Sequence, residues 1–359
     1  MRNGPRPVDL DIIYYGLRKI NTETLVIPHA RMQERVFVLR PLADIAPFLE
    51  HPVLLRTTRQ LLSMQTQVDE SLKDREVCRL FQPMAAASPA KTFVMGILNM
   101  TPDSFSDGGK FNSVDTAVAR ALEMQRDGCD ILDIGGQSTR PHAVEVSEAE
   151  ELERVIPVIK AIRAQTSMLL SIDTYRAEVA CKAVDAGVNL INDISGGTRD
   201  PAMLGVMADT GKSVCLMHMR GDSHTMMGMT YYDNGLIPEM IIDMRKLVAD
   251  AFKAGVYRWN IILDPGIGFA KTSEQNYEII KKLDELVVAF QGIPILIGPS
   301  RKRFIGDTIN EPDASKRVFG TAAACVASVA KGAKIVRVHD IKAIKDSILV
   351  ADECFYKGY

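Results

Sequence analysis

Eight short apolar runs, each followed by a polar or glycine-rich stretch and then a helical pattern, constrain most of this chain. The runs cover residues 92–98, 131–134, 168–172, 190–194, 214–217, 261–263, 294–297 and 335–338. They are rich in Val, Ile and Leu and nearly continuous, as strands buried on both faces of a parallel sheet are. Between them, Ser147-Glu148-Ala149-Glu150 forms a capping-box signature ahead of Leu152, Val155, Ile156, Ile159 and Ile162 at helical spacing. Pro157 within that pattern predicts a kink or a break into two helices. The alanine-dense stretch 314–331 predicts a helix, with Gly332 placed to end it. Eight strand–helix alternations over residues 91–359 fit an α/β fold, the (β/α)8 TIM barrel, whose usual size is about 250 residues. An open doubly wound sheet is the rival, because closure leaves no mark in sequence.

Residues 1–65 read differently. Val8 to Tyr14 alternate as a strand would, and a proline-interrupted stretch follows to near Leu62. Residues 66–90 are polar at first and end in Ala85-Ala86-Ala87-Ser88-Pro89, a linker composition. The expected division is therefore 1–65, a linker at 66–90, and a barrel at 91–359. A net charge of −2 gives no reason to expect a broad nucleic-acid footprint, which needs a concentrated basic face, so no nucleic-acid partner is expected. No apolar stretch approaches the roughly 20 residues of a membrane span. The six cysteines are scattered without CxxC pairs and read as free thiols in a reducing compartment. The N-terminus carries no signal-peptide hydrophobic region and runs straight into a motif, as a chain beginning inside a domain would. A cytoplasmic location is expected, or a mitochondrial one if a transit segment preceded residue 1.

The runs end in polar residues that core packing does not require. In order these are Asn99 with a loop through Phe105 and Asp107; Gln137 to His142; Asp173; Asn192 with Asp193; His218; Asp264 to Phe269; Gly298 to Lys302; and Arg337 with His339. In a parallel barrel these termini open onto one face, where sites of this fold are built. Asp173, Asn192, Asp264 and Lys302 suit a flat heterocycle with several N–H donors and a carbonyl. Read singly, Asp173 and Asn192 could cap helices and Lys302 could be a solvated surface lysine. Arg337 and His339, at i and i+2, face one side, and with Arg301 and Lys302 nearby they suit a phosphate group. Asn99 and Asp107 offer oxygens that could share Mg²⁺ with it. Phe105 and Pro141, in the first two loops, are plausible walls for an aromatic co-substrate.

Taken together these residues resemble the dihydropteroate synthase family over 92 to about 350. The densest blocks are Gly96 to Gly109, Ser138-Thr139-Arg140-Pro141, Asp264 to Phe269, Ser300-Arg301-Lys302 and Arg337-Val338-His339-Asp340. The resemblance implies a pterin held by Asp173, Asn192, Asp264 and Lys302, with Met217, Phe269 and Gly298 lining the slot. It implies pyrophosphate held by Asn99, Arg140, Arg337 and His339 with Mg²⁺, and p-aminobenzoate held by Phe105, Thr139, Pro141 and Ser300. Asn99, Asp107, Thr139, Arg140, Asp173, Lys302, Arg337 and His339 would carry catalysis. Sulfonamides would be inhibitors and a homodimer would be the assembly. Gln137 departs from the glutamate found in many members and is similar to the eukaryotic, bifunctional form.

Residues 3–62 resemble the C-terminal half of hydroxymethyl-dihydropterin pyrophosphokinase, an α+β (ferredoxin-like) enzyme, through Gly4-Pro5-Arg6, Asp9-Leu10-Asp11, Val26-Ile27-Pro28-His29 and Arg35. Asp9 and Asp11 would share one strand face for Mg²⁺–ATP, but without the family's other half no independent kinase activity is expected. Two other readings share the barrel: a corrinoid-linked methyltransferase using methyltetrahydrofolate, and a non-catalytic pterin-binding protein. Neither needs Asn99, Arg337 and His339 as a phosphate set.

Overall fold

The computed structural model describes residues 10–68, 91–100, 110–137, 145–222, 225–290 and 292–356. Contacts divide the chain into two units, 1–80 and 81–359. In the first, β1 (Ile20–Asn21) and β2 (Val26–Ile27) form an antiparallel pair, followed by α1 (Val36–Ile45) and α2 (Thr58–Val68). Met32, Leu39 and Leu61 make its small core. The strand expected over Val8 to Tyr14 does not form across residues 10–14. The Ile13 carbonyl accepts from His29 N–H at 3.0 Å, but no ladder runs across residues 10–14, and Leu10 is 90% exposed.

The second unit is the expected barrel. Its strands are β3 (Phe93–Asn99), β4 (Ile131–Gly135), β5 (Leu169–Asp173), β6 (Leu190–Asp193), β7 (Ser213–Met217), β8 (Ile261–Asp264), β9 (Leu296–Ile297) and β10 (Ile335–Val338). They pair in parallel, in the order β8-β7-β6-β5-β4-β3-β10-β9. A parallel bridge from Leu263 to Ile295, with Leu263 N–H donating to the Pro294 carbonyl at 3.0 Å, brings β8 back to the β9 side and closes the ring. That excludes the open sheet. Around it lie α3 (Lys110–Arg126), α4 (Glu148–Arg163), α5 (Ala177–Asp185), α6 (Met203–Thr210), α7 (Leu236–Ala254), α8 (Ser273–Lys281), α9 (Leu283–Ala289), α10 (Arg303–Ile309), α11 (Val318–Ala330) and α12 (Ile341–Phe355).

Pro157 does not break α4 into two helices, since α4 runs unbroken from Glu148 to Arg163. Val155, Val158, Ile159 and Ile162 are all buried at 1% exposure or less and bind the helix to the sheet. At about 1.5–3 kcal/mol for each buried aliphatic side chain, they outweigh the roughly 3 kcal/mol cost of an interior proline. At its start the Ser147 hydroxyl accepts from Glu150 N–H at 3.2 Å, while the Glu150 carboxylate turns to Arg154. The helix expected over 314–331 begins at Val318, because the Asp313 carboxylate first caps a short 3-10 turn at Ala314–Lys316. No helix among the described residues is long and apolar enough to cross a membrane.

Strand periodicity sorts the barrel interior into two tiers. Phe93, Met95, Ile131, Leu190, Cys215, Ile262, Leu296 and Ile335 form one apolar cluster inside the ring. Two residues further along most of these strands, on the same face, stand Asp133, Asn192, Met217, Asp264, Gly298 and Arg337. The outward residues build the larger core beneath the helices. The C-terminal ends of the strands are thus carried on a packed hydrocarbon floor.

Candidate active site

The register sets Asn99 beside Gly135, Gly135 beside Asp173, and Asp173 beside Asn192 across β3, β4, β5 and β6. Met217 stands beside Asp264 across β7 and β8. Arg337, from β10, reaches across the interior: its Nε donates to Asp133 Oδ2 at 2.6 Å and its Nη2 to Asp173 Oδ2 at 2.6 Å. Asn192 Nδ2 donates to the same Asp133 oxygen at 3.0 Å. Residues from four strands therefore meet around one guanidinium, and the expected convergence is met for Asp173, Asn192 and Arg337.

Asp264 and Lys302 complete the wall. Asp264 Oδ1 accepts from Gly266 N–H at 2.7 Å, which fixes the carboxylate at the mouth of β8. Lys302 Nζ donates to the Ile267 carbonyl and lies 4.8 Å over the Phe269 ring. It is half-buried, not a solvated surface lysine. Burial pushes the Asp173 carboxyl up to about 7, and Asp133 adds to this while Arg337 opposes it. Burial also raises Asp264, against the nearby Lys302. The Lys302 ammonium is held down at about 8 by burial, with Asp264 working the other way. Burial works against the Arg337 charge, yet Asp133 and Asp173 more than offset it and hold the group above its ordinary value. Pocket carboxylates with raised affinity for protons are ready to accept N–H donors from a ligand.

At the β9–β10 side, Ser300 Oγ accepts from the His339 backbone N–H at 3.1 Å and lies 3.0 Å from His339 Nδ1. The hydroxyl has a second lone pair, so it can donate to or accept from Nδ1 and holds the ring in place in either tautomer. Arg301 does not join the cationic set, because Asp340 holds it in a two-pronged pair at 2.9 and 2.5 Å. Asp193 faces away from the pocket and caps the turn at Ser195 and Gly197. Phe105, Asp107, Thr139, Arg140 and Pro141 lie outside the described residues, as does Asp9. In the first unit, Asp11 lies 3.2 Å from Arg35 and 3.8 Å from His29.

Two groups escaped the sequence reading. Asp133 is fully buried inside an apolar run, and a carboxylate at such a position was the available signal. The other group lies behind Asp264: Lys271, 3% exposed, donates to the Phe269 carbonyl at 2.9 Å and lies 3.1 Å from His218 Nδ1. His218 Nε2 lies 3.1 Å from Asp243, which also accepts from Arg220. Burial holds Lys271 down at about 7 and His218 down at about 4.

The model of pterin binding enzymes matches residues 95–339, and that of 7,8-dihydro-6-hydroxymethylpterin-pyrophosphokinase matches residues 1–47. The chain belongs to the pterin binding enzyme family. Over 262 residues it is 52% identical to the dihydropteroate synthase of Synechocystis, covering 73% of this chain and 90% of that protein. Over 350 residues it is 44% identical to a folic acid synthesis protein of Pneumocystis carinii, covering 94% of this chain. The chain spans about half, 46%, of that fungal relative's length. Among solved structures, the dihydropteroate synthase of Xanthomonas albilineans in complex with 7,8-dihydropteroate shares 37% identity. It superposes with a TM-score of 0.67 over 75% of this chain and 96% of that one.

Within this pterin binding enzyme, the geometry accounts for Gln137. Arg176 Nη1 donates to Gln137 Oε1 at 3.0 Å and also meets the Glu151 carboxylate, while its Nη2 donates to the Val146 carbonyl at 2.6 Å. Glu151 supplies the negative charge that Arg176 needs, so a neutral amide at 137 suffices.

Proposed function

We propose that the barrel catalyses the dihydropteroate synthase reaction, joining 6-hydroxymethyl-7,8-dihydropterin pyrophosphate to p-aminobenzoate with release of pyrophosphate. The observation that carries this is the guanidinium of Arg337, which grips the Asp173 carboxylate of the heterocycle pocket from the strand end that leads to His339. Asp173, Asp264 and Asn192 take the ring's N–H and amino donors, and Lys302 donates to a ring nitrogen or oxygen. Met217 and Phe269 line the slot. Two of the five Arg337 N–H groups serve Asp133 and Asp173, and the other three suit the departing phosphate, with the His339 ring beside them on the same strand end.

The chemistry follows from that arrangement. The C–O bond to pyrophosphate breaks, the ring spreads the positive charge left on the exocyclic carbon, and the arylamine nitrogen attacks and then loses its proton. Two carboxylates beneath the ring stabilise the cation, and Arg337 and His339 stabilise the anion. Phe105, Thr139, Pro141 and Ser300 are assigned to the arylamine and Arg140 to pyrophosphate.

Among the described residues, no group of three or more His, Cys, Asp or Glu side chains gathers as a metal site. Mg²⁺ commonly takes only one or two protein oxygens beside water and substrate phosphate. The amide oxygen of Asn99 at the end of β3 fits that role, with Asp107 as a second donor. When bound, the ion neutralises charge on the leaving group.

The test is incubation with the pterin pyrophosphate, p-aminobenzoate and Mg²⁺. Pyrophosphate release matched by dihydropteroate is expected, with competition by a sulfonamide. Pterin binding without pyrophosphate release would overturn the reading and leave a carrier or a methyl-transfer barrel.

A further inference from the structure

Asp133 lies one inward position below the rim, at the middle of β4, and is fully buried. One of its oxygens accepts from both Arg337 Nε and Asn192 Nδ2, at 2.6 and 3.0 Å. Its other oxygen has no hydrogen-bond partner among the described residues. An unpaired oxygen on a fully buried carboxylate is costly, and a barrel that needed only packing there would place an aliphatic residue. The neighbours it does hold are the phosphate-side arginine and a heterocycle-side amide, which come from strands on opposite sides of β4 in the ring.

We propose that Asp133 is a positioning residue of the synthase site: from beneath the pocket it fixes Arg337 and Asn192 together, and so couples the pterin slot to the phosphate mouth. The proposal rests on the functional reading above. It also has an electrostatic side. Arg337 is shared by two carboxylates, so the charge of Asp133 dilutes what the arginine can do for Asp173 and favours the protonated form of Asp173. The charged groups acting on Asp173 are Arg337 from β10, Asp133 from β4, Asp193 from β6 and Glu151 from α4. Asp173 in turn acts on Lys302 across the pocket. Removal of Asp133 should move the acidic limb of pterin binding to lower pH, and removal of Arg337 to higher pH.

The experiment uses the full chain and calorimetry with 6-hydroxymethylpterin and, separately, inorganic pyrophosphate across pH. Ser171→Ala is the control. Ser171 pairs in register with Asp133, is equally buried and lacks a hydrogen-bond partner among the described residues. Asp133→Asn is expected to weaken both ligands at least about tenfold and to move the acidic limb of pterin binding to lower pH. Ser171→Ala is expected to stay within about twofold with the limb in place. Equal losses in both variants, or an unmoved limb in Asp133→Asn, would show that Asp133 only packs. If Asp133→Asn does not fold, Asp133→Asn/Arg337→Gln, neutral at both positions, is compared with Arg337→Gln. A lower limb in the double variant supports the proposal and identical limbs overturn it. Absence of pterin binding by the wild-type chain would remove the functional reading along with it, whereas the variant results above bear on Asp133 alone.

Discussion

Lys302 shows how a lysine is put to use inside a barrel. Its ammonium is held by the Ile267 carbonyl and the face of Phe269 while burial lowers it to about 8, so it stays a strong donor with little freedom to wander. Truncating a donor of this kind costs about 10²-fold in turnover. Lys302→Ala should therefore lose about 100-fold in kcat with an unchanged circular-dichroism spectrum. Unaltered turnover in a folded variant would take it out of the site. At this scale the sequence was legible where a polar side chain followed an apolar run, as with Asp173 and Asp264, or stood within one close to a polar loop, as with Asn192 and Arg337. Asp133 was not singled out because the glycines and polar loop that follow its run drew attention to Gln137 to His142 instead. Lys271 was missed because two of its partners are backbone carbonyls, of Phe269 and His218, which no side-chain pattern announces.

Among the elements, the turn leaving β8 is the most demanding. Gly266 takes φ +71°, and a Cβ there would lie 2.1 Å from the His218 carbonyl oxygen. Its N–H also fixes the Asp264 carboxylate. Gly266→Ala should cost about 2 kcal/mol or more, seen as a lower denaturant midpoint, and weaken pterin binding in titration. Wild-type values for both would show that the turn relaxes freely. The runs marked all eight strands because burial on both faces demands continuous apolar sequence. The ends of helices were harder: packing overrode Pro157, and the Asp313 cap delayed α11. Residues 10–14 had a strand's alternation, but the bond from His29 N–H to the Ile13 carbonyl does not by itself make a ladder.

For the whole molecule, the buried lysines set a pH dependence. Lys271 lies at about 7 and Lys302 at about 8 in the fold, both below the ordinary 10.5, so the unfolded chain binds more protons above neutrality. Stability then rises with pH from about 7.5 to 8.5. Asp173, raised to about 7, acts in the opposite sense, but most of its loss falls below that window. The urea midpoint of the ligand-free chain should climb over this range, and Lys271→Met should flatten the climb. A midpoint that falls between those pH values would contradict the assignment.

The two-tier barrel interior bears on how such a molecule can change over generations. Residues that keep the staves together, such as Met95, Ile131 and Ile335, and residues that choose the guest, such as Asp264 and Asn192, are different positions on shared strands. Selection for another ring system, or for escape from an inhibitor, can rewrite the upper tier while the lower one goes on supplying the cohesion. Tolerated substitutions should accordingly gather near the strand exits and thin out in the apolar tier beneath them.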